Sequence, residues 1–172
     1  MSDQTATSWL SETRSKLHEQ SDAIAEALND LAVTLGDQSD RGPTTWVDLR
    51  HGVTVYVLTP GLLHRFSGNA DTPVGDPRQP EQGSPSEGES SCNYATFPIT
   101  PSANFSLAVT TKTGPNNART VQREWTFRFR DDPRAESIRV ATDAKTQECD
   151  EAIAFARALA GSIAASASDP RR

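Results

Sequence analysis

The sequence predicts an α+β fold, a bent antiparallel sheet or open barrel of about seven strands with a long N-terminal helix and a closing C-terminal helix. Three observations carry this. Residues 121–131, VQREWTFRFRD, set Val121, Arg123, Trp125, Phe127 and Phe129 against Gln122, Glu124, Thr126, Arg128 and Arg130. Alternation of period two marks a strand with one face buried and one wet. Shorter runs of β-branched and aromatic residues, separated by turn signals, surround it. Apolar stripes of helical spacing lie at both ends of the chain. The 121–131 run is expected to be the central strand.

The first helix is predicted over residues 8–35. Leu10, Leu17, Ile24, Leu28, Leu31 and Leu35 fall on one stripe, Thr7 or Ser8 supplies a cap, and Gly36 stands where a C-terminal cap needs it. The stripe is sparse before Leu17 and dense after Ala23. Its heptad-like spacing allows dimerisation, but fewer than four regular heptads favours simple cover of a sheet in the same subunit. After a polar linker come strand candidates at 46–49, 53–58 and 62–66, with Thr59-Pro60-Gly61 as a tight turn. A pairing of Leu58 with Leu62 would set Tyr56 opposite His64 and Thr54 opposite Phe66, leaving Val53, Val55 and Val57 to the core.

Residues 67–91 hold four prolines, four glycines and five serines, with five acids and one arginine. Such a stretch cannot bury enough apolar area to offset the entropy of ordering, so a disordered acidic loop is expected there. Strands follow at 94–99, where Pro98 suggests a sheet edge, and at 105–110, where Phe105, Leu107 and Val109 alternate with Ser106, Ala108 and Thr110. The turn cluster TGPNN joins the latter to the central strand as a long hairpin. Asp131-Asp132-Pro133 closes that strand, and 137–141 supplies a partner with Ile138 and Val140 inward. The closing helix is predicted over 146–163, capped by Thr146, with Cys149, Ala152, Ile153, Ala156, Leu159, Ala160 and Ile163 on its stripe and Phe155 at the margin. The expected organisation is an N-terminal helix over 1–36, a sheet core with its helix over 45–164, and a mobile tail over 165–172.

The segments FSLAVTTKTG, VQREWTFRFRDD and SIRVATDAKTQECDEAIAFARALAGSI give a hairpin, a short strand, a polar connection and a helix. In that order they resemble the pleckstrin-homology-like superfold, a bent sheet plugged at one end by its last helix, over roughly residues 45–164. The resemblance implies that Phe155 and Leu159 plug the sheet. The tryptophan common in the closing helix of that family is missing, since the tryptophans are Trp9, Trp46 and Trp125. The first hairpin has only Arg50, His51 and Arg65 nearby and no Lys-x-Arg signature, so phosphoinositide binding is not implied. The helix–strands–helix sandwich of small secretion-chaperone-like proteins fits the same order, and its first helix often builds a dimer.

Function is less legible than fold. With 17 basic and 23 acidic side chains the net charge is −6 and the pI about 5.0, which argues against broad binding to nucleic acid or anionic membrane. No signal peptide and no uninterrupted apolar run of membrane-spanning length is evident, so a cytoplasmic protein with Cys92 and Cys149 reduced is expected. A bridge between those two cysteines stays open on steric grounds alone. His18, His51 and His64 do not cluster, and no metal site or cofactor is expected. No phosphate-binding loop, nucleophile elbow or zinc-protease motif occurs, which leaves no catalytic residue to name and inclines the reading away from an enzyme.

One constellation stands out. Residues 104–140 carry seven bases against four acids in an otherwise acidic chain. Arg128 and Arg130 project from one wet strand face, and Arg139 and Arg65 are further candidates for a partner-binding patch. The plain alternative is a solvated strand face whose charges prevent edge association. The expected function is a non-enzymatic binding or scaffold module that engages a protein partner through a polar sheet face or the N-terminal helix. Alternatives are a small-molecule-binding protein or enzyme with a pocket in the curved sheet, and a homo-oligomeric chaperone-like or structural component built through residues 8–35.

Overall fold

A computed structural model describes residues 8–17, 22–36, 42–49, 52–69, 91–113, 119–129, 137–141 and 146–168. Within them lie three helices and two antiparallel sheets, an α+β architecture with helices toward both ends of the chain. Strands β1 (Thr44–Asp48), β2 (Val53–Thr59), β3 (Leu62–Asn69) and β4 (Ser91–Pro98) form one sheet in sequence order. Strands β5 (Asn104–Thr113), β6 (Arg119–Arg128) and β7 (Ser137–Ala141) form the other, also in sequence order. The chain divides into two compact units, Met1–Tyr56 with Arg65–Ala95, and Val57–His64 with Thr96–Arg172.

In the first unit the N-terminal segment is two helices, α1 (Ser8–Lys16) and α2 (Asp22–Leu35), and not the single helix expected. The Arg14 guanidinium reaches Asn29 Oδ1 at 3.4 Å. In one straight helix those residues would stand about 22 Å apart along the axis, so the chain has turned back on itself. Ile24, Leu28 and Leu31 of the expected stripe are buried, whereas Leu10 is only partly so. Gly36 ends α2 as expected, at φ +54°, with its N–H donating to the Ala32 carbonyl at 3.1 Å. Helix α1 packs on β1, with a partly buried polar contact between them. Thr13 Oγ1 donates to the Trp9 carbonyl at 2.7 Å and lies 3.2 Å from Thr45 Oγ1.

Aromatic stacking fastens the strands of this unit. The Trp46 and Tyr56 rings stack at 5.2 Å, and those of Phe66 and Tyr94 at 4.9 Å. A Cβ at Gly68 would stand 3.0 Å from Ile24 Cδ1, so glycine lets α2 approach β3 closely. Strand β3 runs on to Asn69 and β4 begins at Ser91, so both ends of the predicted loop 67–91 are strand. Residues 70–90, which carry the acidic-loop expectation, lie outside the described residues. Pro98 does close an edge strand, as the sequence suggested.

The hairpin between β2 and β3 turns on Pro60-Gly61, with Gly61 at φ +79°, where a type II turn needs positive φ. This corrects the expected pairing. Thr59 Oγ1 lies 3.0 Å from His64 Nε2 and donates to the Leu62 carbonyl at 3.3 Å, which puts Thr59 and His64 on one face. His64 therefore belongs with Val57 and not with Tyr56, because a slip of one residue exchanges the faces. Val55 and Val57 are buried, as expected, and Val53 only partly; Tyr56 and Leu58 on the other face of β2 are buried as well.

In the second unit β6 is the central strand, as expected, paired on both sides. It ends at Arg128; Phe129 follows, buried and 5.1 Å from the Phe97 ring. Arg130 and the Asp131-Asp132-Pro133 stop lie outside the described residues. The closing helix α3 (Thr146–Ala167) packs against β7 and is one turn longer than predicted. Alanine-rich sequence sustains that turn, and Ser166 Oγ donates to the Ile99 carbonyl at 3.2 Å. Phe155 is fully buried and central on the helix's buried face, while Ile153 is marginal, the reverse of the expected order.

Candidate interaction surface

The three-stranded sheet carries two of the four arginines marked in the sequence, Arg128 and Arg139, and its register sorts its residues by face. Asn104 pairs with Arg128 at one end of the β5–β6 ladder and Thr113 with Arg119 at the other, in ten consecutive pairs. Arg128 pairs with Ser137, and Thr126 with Arg139, across β6–β7. With two-residue alternation, Arg128 and Arg139 share one face as diagonal neighbours, alongside Glu124, Thr126, Ser106 and Ala108.

That face is wet. Arg128, Arg139 and Glu124 are exposed, and Arg139 Nε stands 4.0 Å from Glu124 Oε1. An exposed ion pair at that distance contributes under about 1 kcal/mol, so Glu124 only partly offsets the basic row. The structure thus brings together two of the four candidate arginines. Arg65 sits on β3 in the first unit, and Arg130 lies outside the described residues.

The opposite face carries Phe105, Leu107 and Val109 on β5, Trp125 and Phe127 on β6, and Ile138 and Val140 on β7. Burial fades across it. Val140, Trp125 and Leu107 lie in one cross-strand row at 0%, 6% and 48% exposure; Ile138, Phe127 and Phe105 lie in another at 2%, 0% and 43%. The cover that buries β7 and β6 stops short of β5. All ten residues of β5 are exposed, Val109 at 56%. The Phe105 ring lies 5.9 Å from the Phe127 ring.

The alternation of Phe105, Leu107 and Val109 in the sequence pointed to a buried face, and the structure leaves that face open. Period two states which side chains share a face; it does not state whether a layer lies over them.

Other chemistry is sparse. His64 is buried in the second unit, and burial lowers its pKa from the ordinary value of 6.5. His18 and His51 lie outside the described residues. Cys92 and Cys149 are in no disulfide, and burial raises the pKa of Cys92. Among the described residues no group of three or more His, Cys, Asp or Glu is placed to hold a metal ion. No helix among them is long and apolar enough to cross a membrane. Comparison with protein-family profiles, with curated proteins and with solved structures returned no match for the chain.

Proposed function

We propose that the chain is a non-enzymatic binding or scaffold module with a pleckstrin-homology-like core, engaging a protein partner through the wet face of the β5–β6–β7 sheet. The observation that supports this reading most is the shared exposed face of Arg128 and Arg139 on a sheet whose central strand is rigidly paired on both sides. A row of cations held by a sheet presents fixed charges to an acidic partner without ordering a loop, which lowers the entropy lost on binding. Sheet-borne arginines of this kind steer encounter more than they add net affinity.

The N-terminal route to a partner has less support. Ile24, Leu28 and Leu31, the dense part of the helical stripe, are buried in the chain's own first unit. They are spent on packing there, which favours the sheet as the partner-facing element.

The test is capture of partners from the protein's native extract by wild-type protein and by the double variant Arg128→Glu, Arg139→Glu. Both positions are exposed, so the fold should be retained. Reversal of two charges is expected to abolish capture or cut it at least tenfold, with a strong dependence on salt in the wild type. Equal capture by the two proteins would remove the sheet face from the reading.

A further inference from the structure

The face and edge of β5 have a feature that the partner-binding reading does not use. Its ten residues, NFSLAVTTKT, contain no proline and no glycine, and a single ionisable side chain, Lys112, near one end. Its ladder with β6 has no bulge, and on its other side no strand is paired among the described residues. Natural edge strands are usually kept from pairing by shortness, proline, charge or a bulge. The other edges here follow that rule. Strand β4 closes in Pro98, and β1 and β7 are five residues long and carry Asp48 and Arg139. Among the described edge strands, β5 alone is long, unbroken and nearly neutral.

We infer that β5 pairs antiparallel with β5 of a second copy of this chain, joining two three-stranded sheets into one of six strands about a two-fold axis near Leu107. The choice of occupant rests on self-complementarity. A two-fold pairing sets a strand against its own sequence, so any charge near its middle would meet a like charge. Residues 104–110 carry none. With Leu107 on the axis, Leu107 faces its own copy and Phe105 faces Val109 of the second copy, so the open apolar faces run together. The two Lys112 side chains then stand about 34 Å apart along the strands, beyond effective repulsion in physiological salt. A foreign strand would need no such neutrality.

The contact is modest. Seven paired residues make a strip about 24 Å long, on the order of a few hundred Å² per copy, against roughly 800 Å² per partner in a standard stable interface. Association should therefore be weak and concentration-dependent. The inference does not rest on Arg128 or Arg139, whose side chains lie on the other face.

Sedimentation equilibrium of the wild-type protein from about 5 μM to about 500 μM covers the range expected for a contact of that size. The apparent mass should rise from 18.6 kDa toward twice that value. Leu107→Lys, which sets two ammonium groups face to face on the axis, should hold the mass at the monomer value throughout. Hydrogen exchange of the wild type gives a reading that needs no variant: amides within 104–110 should slow at least several-fold at the upper concentration while those of β6 stay constant. A wild type that remains monomeric throughout, or one that dimerises with no change in β5 exchange, overturns the inference. So does a Leu107→Lys protein that associates as the wild type does. Slowing of β5 amides only when another protein is added would identify the occupant as a foreign strand, and would overturn the inference equally.

Discussion

At the scale of single residues, His64 shows how burial writes a pH dependence into the fold. Its ring lies 4% exposed against Thr59, and desolvation lowers its pKa from 6.5. The unfolded chain therefore binds a proton more readily than the folded one between the lowered value and 6.5. Stability from this group is present above about pH 6.5 and is lost as the pH falls through that window. Denaturant melts at about pH 7.5 and about pH 5.5 are expected to show a drop in midpoint that His64→Gln reduces, since glutamine keeps a polar partner for Thr59 but takes up no proton. A variant with the same drop as the wild type would place the dependence elsewhere. The histidine was visible in the sequence but its setting was not, because one residue of hairpin register decided which face it joined.

At the scale of elements, α3 makes the clearest case. Phe155 is fully buried at the middle of the helix face that includes Ala152, Ala156, Leu159 and Ile163. Phe155→Ala leaves a cavity and is expected to cost about 3–5 kcal/mol in a denaturant melt. Val33→Ala on α2, at 83% exposure, should change stability by less than about 0.5 kcal/mol. Equal effects would reverse the packing assignment of both helices. Element type was the most legible level: the alternation of 121–129 gave a central strand, and the spacing of 146–163 gave the closing helix. The break between α1 and α2 was harder. Ser21-Asp22 is a pair of small polar residues suited to start a helix, but the apolar stripe from Leu10 to Leu35 runs across it without a break in phase. The openness of β5 was not legible at all, because it depends on where a covering layer ends. That layer is a property of distant sequence. For the candidate site, strand parity singled out Arg128 together with Arg130, whereas Arg139 and Arg65 were further candidates that parity did not place.

At the scale of the whole molecule, a net charge of −6 surrounds a locally basic sheet segment. General repulsion between copies opposes self-association, and it fades as the pH approaches the pI of about 5.0. Solubility is expected to pass through a minimum near there, read as turbidity across a series from about pH 4 to about pH 8. A flat profile would mean that specific surface features, and not net charge, govern the colloidal behaviour. The placement of the tryptophans has a further use. Trp9 and Trp46 belong to the first compact unit and Trp125 to the second. Trp46 stacks on Tyr56, a geometry suited to energy transfer between the rings and to quenching by contact. Trp125 lies 6% exposed among aliphatic and aromatic neighbours, where indole emission shifts toward the blue. The chain thus carries tryptophan in each unit: Trp125→Phe would leave indole emission from the first unit alone, and Trp9→Phe with Trp46→Phe would leave it from the second alone.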